Sequence, residues 1–171
     1  MTEQNGRVIY QETQRWSLAF RCLLVALCLF SVLASIYAIA VILHRDSIQW
    51  SPLLMTVLCG VFIPLTIGLL IWIFRLRTEV RSDGLYIRCI PFHSRPRRFE
   101  PRDLAESYVR RYRPILEYGG WGIRYGLKGR AYNVSGNHGV QLVLNDGKRI
   151  LIGSSRPAEL EAAIHTITNT N

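Results

Sequence analysis

Four histidines, four cysteines and twelve acidic residues are the side chains through which this 171-residue chain could carry out acid–base, nucleophilic or metal chemistry. Their spacing argues against it. His44, His93, His138 and His165 are scattered, and none stands at metal-ligand spacing from another His, a Cys or a carboxylate. Cys22, Cys28, Cys59 and Cys89 form no CxxC or CxxH pair. Three of them lie in apolar runs, where cysteine behaves as a small hydrophobe, so neither a disulfide framework nor a metal centre is expected. Gly119-Gly120-Trp121-Gly122 has the glycine density of a phosphate loop but lacks the Lys-Ser/Thr that would hold phosphate and magnesium. Asn133-Val134-Ser135 matches a glycosylation sequon, yet with Gly136 and Asn137 after it the segment reads as turn chemistry. The chain is therefore expected not to be an enzyme, with no catalytic, cofactor-binding or metal-binding residue of its own.

The chemistry the sequence does offer is ionic. The net charge is +9, and it is uneven: residues 75–171 hold 17 basic against nine acidic residues. Arg95, Arg97 and Arg98 follow Pro91, and Arg110, Arg111 and Arg113 are interleaved with Tyr108 and Tyr112. Near an anionic leaflet each basic group contributes about 1 kcal/mol, so these six arginines are expected lipid-surface contacts. The competing reading is a solvated basic surface in a chain that uses 19 Arg and two Lys. Trp121 and Tyr125 are the expected partner contacts if the glycine-rich stretch is a binding edge. A bulged or looped strand with a packed Trp121 is the favoured alternative. Nucleic acid is not an expected partner, since no recognised module for it is present.

Two long apolar runs must position this basic segment. Residues 23–43 and 53–74 carry no charge, and a helix of either length spans roughly 30 Å, the thickness of a hydrocarbon core. The second run contains Gly60, Pro64 and Gly68, which membrane helices tolerate, and a kink is expected near Pro64. Ser31, Ser35, Thr56 and Thr66 are expected at helix contacts. With only residues 44–52 between them, the helices must be antiparallel. Arg7, Arg15, Arg21, Arg75, Arg77 and Arg81 flank the other end, which places both termini on the cytoplasmic side. Trp16 and Trp72 then fall near the inner interface and Trp50 near the outer one. A cleaved leader ending at Ala38-Ile39-Ala40 is the rival reading; the run is long for that, and a second run follows at once.

After Arg77 the pattern changes to period two. Strands are expected over 78–81 and 85–90 around Ser82-Asp83-Gly84, then at 97–99, 106–113, 130–134, 139–144 and 148–152, the last two joined at Asp146-Gly147. Val140, Leu142, Leu144, Ile150 and Ile152 share one face, suiting a single interior. Pro157 and Glu159 open an amphipathic helix whose stripe is Leu160, Ala163, Ile164 and Ile167.

On these residues the chain resembles bacterial pleckstrin-homology-like domains fused to a two-helix membrane hairpin. The resemblance rests on Thr78-Glu79-Val80…Asp83-Gly84-Leu85, Glu117-Tyr118-Gly119-Gly120-Trp121-Gly122 and Ala131-Tyr132-Asn133-Val134-Ser135-Gly136-Asn137, with the Asp146-Gly147-Lys148 hairpin and the Pro157-x-Glu159-Leu160 helix start. It implies a mostly β (α+β) barrel of about seven antiparallel strands with a C-terminal helix. The basic loop through which many such domains bind phosphoinositides is here Arg81-Ser82-Asp83-Gly84, short and without net positive charge, so that mode is not expected. The resulting organisation is a cytoplasmic N-terminal segment (1–22), transmembrane helices at 23–43 and 53–74, an outer loop (44–52) and a cytoplasmic domain (75–171). The expected role is a non-catalytic interaction module at the inner face of a bacterial cytoplasmic membrane. It would bind lipid, a protein partner or another copy of itself; the alternative is an accessory subunit of a membrane enzyme or transporter.

Overall fold

A computed structural model describes residues 6–44, 50–126 and 129–169; most of the connector between the two apolar runs lies outside the described residues. The chain divides into two compact units: Trp16–Ile73, and the segment before it together with everything from Phe74 onward.

In the helical unit, α1 runs Leu18–Leu43, starting ahead of the uncharged run because the Ser17 hydroxyl caps it and accepts from the Phe20 N–H (3.3 Å). The partner helix is built from α2 (Trp50–Val57), a π-helical stretch (Leu58–Phe62) and α3 (Ile63–Ile73). Both helices are long and apolar enough to cross a membrane. Pro64 explains the widened turn. It has no N–H to offer the carbonyl of Gly60, and the Ser31 hydroxyl of α1 donates to that carbonyl instead (2.7 Å). A Cβ at Gly60 would overlap the Ser35 hydroxyl, so glycine here is what lets the two backbones approach. Of the four hydroxyls expected between helices, Ser31 makes the cross-helix bond. Ser35 and Thr66 donate to carbonyls of their own helices, those of Ser31 and Phe62 (2.8 and 2.7 Å).

The described residues of the second unit form nine strands in two sheets. One sheet has the order β1-β2-β3-β4: β1 (Val8–Gln14), β2 (Arg75–Arg81), β3 (Gly84–Ile90) and β4 (Arg97–Phe99). The other has the order β5-β8-β9-β7-β6: β5 (Leu104–Arg111), β6 (Gly122–Gly126), β7 (Gly129–Asn133), β8 (His138–Leu144) and β9 (Arg149–Gly153). The closed antiparallel barrel implied by the resemblance is not formed. Among the described residues, three-residue β4 pairs only with β3. The chain then turns through Pro101–Asp103, and β5 opens a new sheet against β8. β7 runs parallel to β9, because the β8–β9 hairpin is held by β5 on one side and returns β9 along β7 on the other.

The single expected interior is also two. Val140, Leu142, Ile150 and Ile152 are buried on one face of the second sheet, while Leu151 on the opposite face joins Tyr112, Tyr118 and Ala131 in a smaller cluster. Helix α5 (Pro157–Asn169) buries Leu160, Ala163, Ile164 and Ile167 and packs on β1, β2, β5 and β8, so it ties the two sheets together. Between β5 and β6 a short α4 (Pro114–Tyr118) starts on proline and ends on left-handed Gly119 (φ 71°).

Strand β1 is absent from the sequence reading. It pairs with β2 along Val8–Gln14 and buries Tyr10, Glu12 and Gln14. The Glu12 carboxylate accepts from the Tyr10 hydroxyl (2.7 Å), the Ser154 hydroxyl (2.6 Å), the Ser155 N–H (2.8 Å) and the Ser155 hydroxyl. Gln14 donates to the Gly153 carbonyl, and Arg156 donates to the Gln11 carbonyl. The strand before the first helix is thus fastened to the turn that starts α5. Burial alone would raise the Glu12 carboxyl; the bonds from Ser154, Ser155 and Tyr10 outweigh it and hold the group below the ordinary carboxylate value. Burial pushes the Tyr10 phenol up to about 12.

Candidate functional site: a basic cleft and an arginine-ringed tip

Strand alternation separates the first arginine group. On β4 successive side chains point to opposite faces. Arg97 donates to the Tyr132 hydroxyl (3.0 Å), while Arg98 donates to the Asp83 carbonyl (2.9 Å) and pairs with its carboxylate (3.6 Å). Arg95 is exposed ahead of the strand. The second group divides as well. Arg110 is held by the Glu117 carboxylate and by Gln141 (3.2 Å), whereas Arg111 and Arg113 are exposed. Glu117 also accepts from the Arg113 N–H (2.7 Å) and so fixes the start of α4.

That helix carries Ile115 and Leu116 into solvent, 66% and 76% exposed. Arg111, Arg113, Ile115, Leu116 and Trp121 line one shallow depression of about 590 Å³. An apolar tip ringed by guanidiniums is the composition that a lipid–water interface accepts. The two glycine-rich motifs lie against each other beside it: the Trp121 indole N–H donates to the Gly136 carbonyl (3.1 Å), and the Gly122 N–H to the Asn133 side-chain oxygen (2.9 Å).

A larger concavity lies elsewhere in the same unit. Among the described residues β4 and β6 are sheet edges, and a cleft of about 930 Å³ lies among β4, the β6 and β7 strands, and the β8–β9 turn. Arg97, Arg130, Lys148 and Arg149 line it, with Tyr125 at its side and Asp146 as its acidic residue. Asp146 is paired with Lys148 (2.6 Å), and the two bonds from Lys148 hold its carboxyl below the ordinary value. Among the described residues no carboxylate pairs with Arg97, Arg130 or Arg149. Arg130 donates to the same Tyr132 hydroxyl as Arg97, also at 3.0 Å, and stacks its guanidinium over Tyr125 (4.4 Å to the ring centroid). Burial pushes the Tyr132 phenol up to about 12, so it stays a neutral post between two cations.

Sequence reasoning named Arg97 and Tyr125 but placed them in different roles, and it did not single out Arg130, Lys148 or Arg149. These residues come from four separate segments, and no linear spacing links them. Among the described residues no three of His, Cys, Asp and Glu are grouped to hold a metal. Burial raises the Cys89 thiol to about 12, which keeps it protonated. Burial and the nearby Arg97 hold His93 below its ordinary value, and its ring accepts from the Cys89 N–H (3.3 Å).

The chain belongs to DUF6141, a family of unknown function whose model matches residues 8–170. The match opens on the first residue of β1 and takes in both apolar helices and every strand. No curated protein matches the chain.

Proposed function

We propose that this DUF6141 chain is a membrane-anchored, non-catalytic interaction module that holds a pleckstrin-homology-like domain against the anionic inner face of a bacterial cytoplasmic membrane. The pairing of β1 with β2 carries the reading. One strand precedes the first apolar helix and the other follows the second, yet they share a ladder. A two-span hairpin is the arrangement that returns the chain to the same side of a bilayer, as this pairing requires. The arginines flanking the helices favour the cytoplasmic side. Two packed sheets with a C-terminal helix are consistent with an opened pleckstrin-homology-like domain. The tip formed by Ile115, Leu116, Arg111 and Arg113 supplies the lipid-facing surface.

Hydrogen exchange of α4 in the full-length protein tests this. Nanodiscs of neutral phosphatidylcholine are compared with discs containing phosphatidylglycerol. Residues 114–118 are expected to exchange more slowly in the anionic discs. The double variant Arg111→Glu, Arg113→Glu should remove the difference, because two contacts of about 1 kcal/mol each become repulsive. Equal exchange of 114–118 in both lipids for the unaltered chain would sink the lipid-facing reading.

A further inference from the structure

We propose that the cleft among β4, strands β6 and β7, and the β8–β9 turn is a binding site for a phosphate-bearing anion. The inference goes beyond the membrane-module reading and does not depend on the tip touching lipid. Three guanidiniums and one ammonium line the cleft, and its acidic residue is already neutralised by Lys148. Arg97 and Arg130 reach the same phenol oxygen, so their end groups lie within the sum of two hydrogen-bond lengths, and among the described residues no carboxylate pairs with either. Like charges this close repel, and a dianion placed between them reverses the sign of that interaction.

The arrangement is built rather than casual. Tyr132 is fully buried and anchors both guanidiniums. Gly129, at φ 104°, stands where a Cβ would overlap the Arg149 carbonyl, and this close approach of β7 to β9 brings Arg130 and Arg149 to one wall. Guanidiniums offer forked N–H pairs that match phosphate oxygens, and the exposed Tyr125 ring lies beside them. Tyr132 acts here as a positioning residue. The same phosphate chemistry could reach the cleft on a soluble molecule or on a lipid headgroup.

Pyrophosphate is the probe that separates these cases. It is titrated by calorimetry into the full-length chain in neutral phosphatidylcholine nanodiscs at physiological salt. Saturable binding is expected, weakened about tenfold or more by Arg97→Gln and by Arg130→Gln through loss of a charge-assisted pair. Arg149→Gln, which alters an exposed side chain, should weaken it in the same direction and serves if either of the other variants unfolds. Arg102→Gln, outside the cleft and paired with Glu100, should leave it unchanged. In discs containing phosphatidic acid, competition with pyrophosphate identifies a headgroup as the source, and absence of competition identifies a soluble phosphate. No saturable binding by the unaltered chain, or an equal loss in Arg102→Gln, overturns the proposal.

Discussion

Glu12 is buried with four donors around it, and its removal would leave the Tyr10 and Ser154 hydroxyls and the Ser155 N–H and hydroxyl without their acceptor. Orphaned buried donors cost about 1–3 kcal/mol each, partly recovered by water, so Glu12→Ala is expected to destabilise the domain by roughly 2–4 kcal/mol. Thermal unfolding of the full-length protein measures this, and a change below about 0.5 kcal/mol would contradict the role assigned to Glu12. The sign of the pH dependence follows from the same group. Its folded value lies below its unfolded one, so its contribution is complete above the ordinary carboxylate range and is lost as pH falls through the folded value. Glu12→Gln should flatten that part of the stability–pH curve, whereas an unchanged slope would assign the dependence to another carboxylate.

Strand β1 also shows how an element can hide in a sequence. Its inward residues are Tyr10, Glu12 and Gln14, while Val8 and Ile9 are about half exposed, so its hydrophobic alternation is inverted relative to its burial. Only its partners in residues 153–156, distant in sequence, make that pattern favourable. Deleting residues 1–15 should uncover the β2 edge and produce a lower unfolding temperature and association in detergent solution. Equal stability of the truncated chain would show that β1 is dispensable. By contrast, the β8–β9 hairpin and α5 were legible, because Asp146-Gly147 and the Leu160, Ala163, Ile164, Ile167 stripe carry local rules that the packing does not oppose. Helix α4 had a readable signature too, Pro114 at its start and Gly119 after its end, but at five residues it offers no periodicity to notice. In the helical pair, Ser31→Ala should cost about 1 kcal/mol by leaving the Gly60 carbonyl without its donor. Gly60→Leu should cost more by driving the helices apart. Denaturation in mixed micelles followed by circular dichroism reads both, and equal stability of the two variants with the parent would refute this packing.

At the scale of the whole molecule, the sequence conveyed a basic β domain beside two apolar helices, but not how the sheets end. Closure depends on whether β4 and β6 find partners. That is decided by the turn at Pro101–Asp103 and by the β5–β8 pairing, both set by long-range contacts. The same failure to close creates the basic cleft, so the candidate site was no more readable than the topology that opens it. The arginines were conspicuous as a class. Their separate assignments, to Asp83, to Glu117, to Tyr132 and to solvent, needed the register of the strands.

The central claim is that β1 and the C-terminal domain occupy one side of a membrane and the helix connection the other. Cysteines introduced one at a time as Thr13→Cys, His44→Cys and Ser94→Cys, with Cys22, Cys28 and Cys59 replaced by alanine and the buried Cys89 kept, can be probed in intact bacterial cells with a membrane-impermeant maleimide. The account predicts labelling at position 44 alone, with positions 13 and 94 reacting only after the membrane is opened. Labelling that separates 13 from 94, or that reaches all three sites in intact cells, would contradict it.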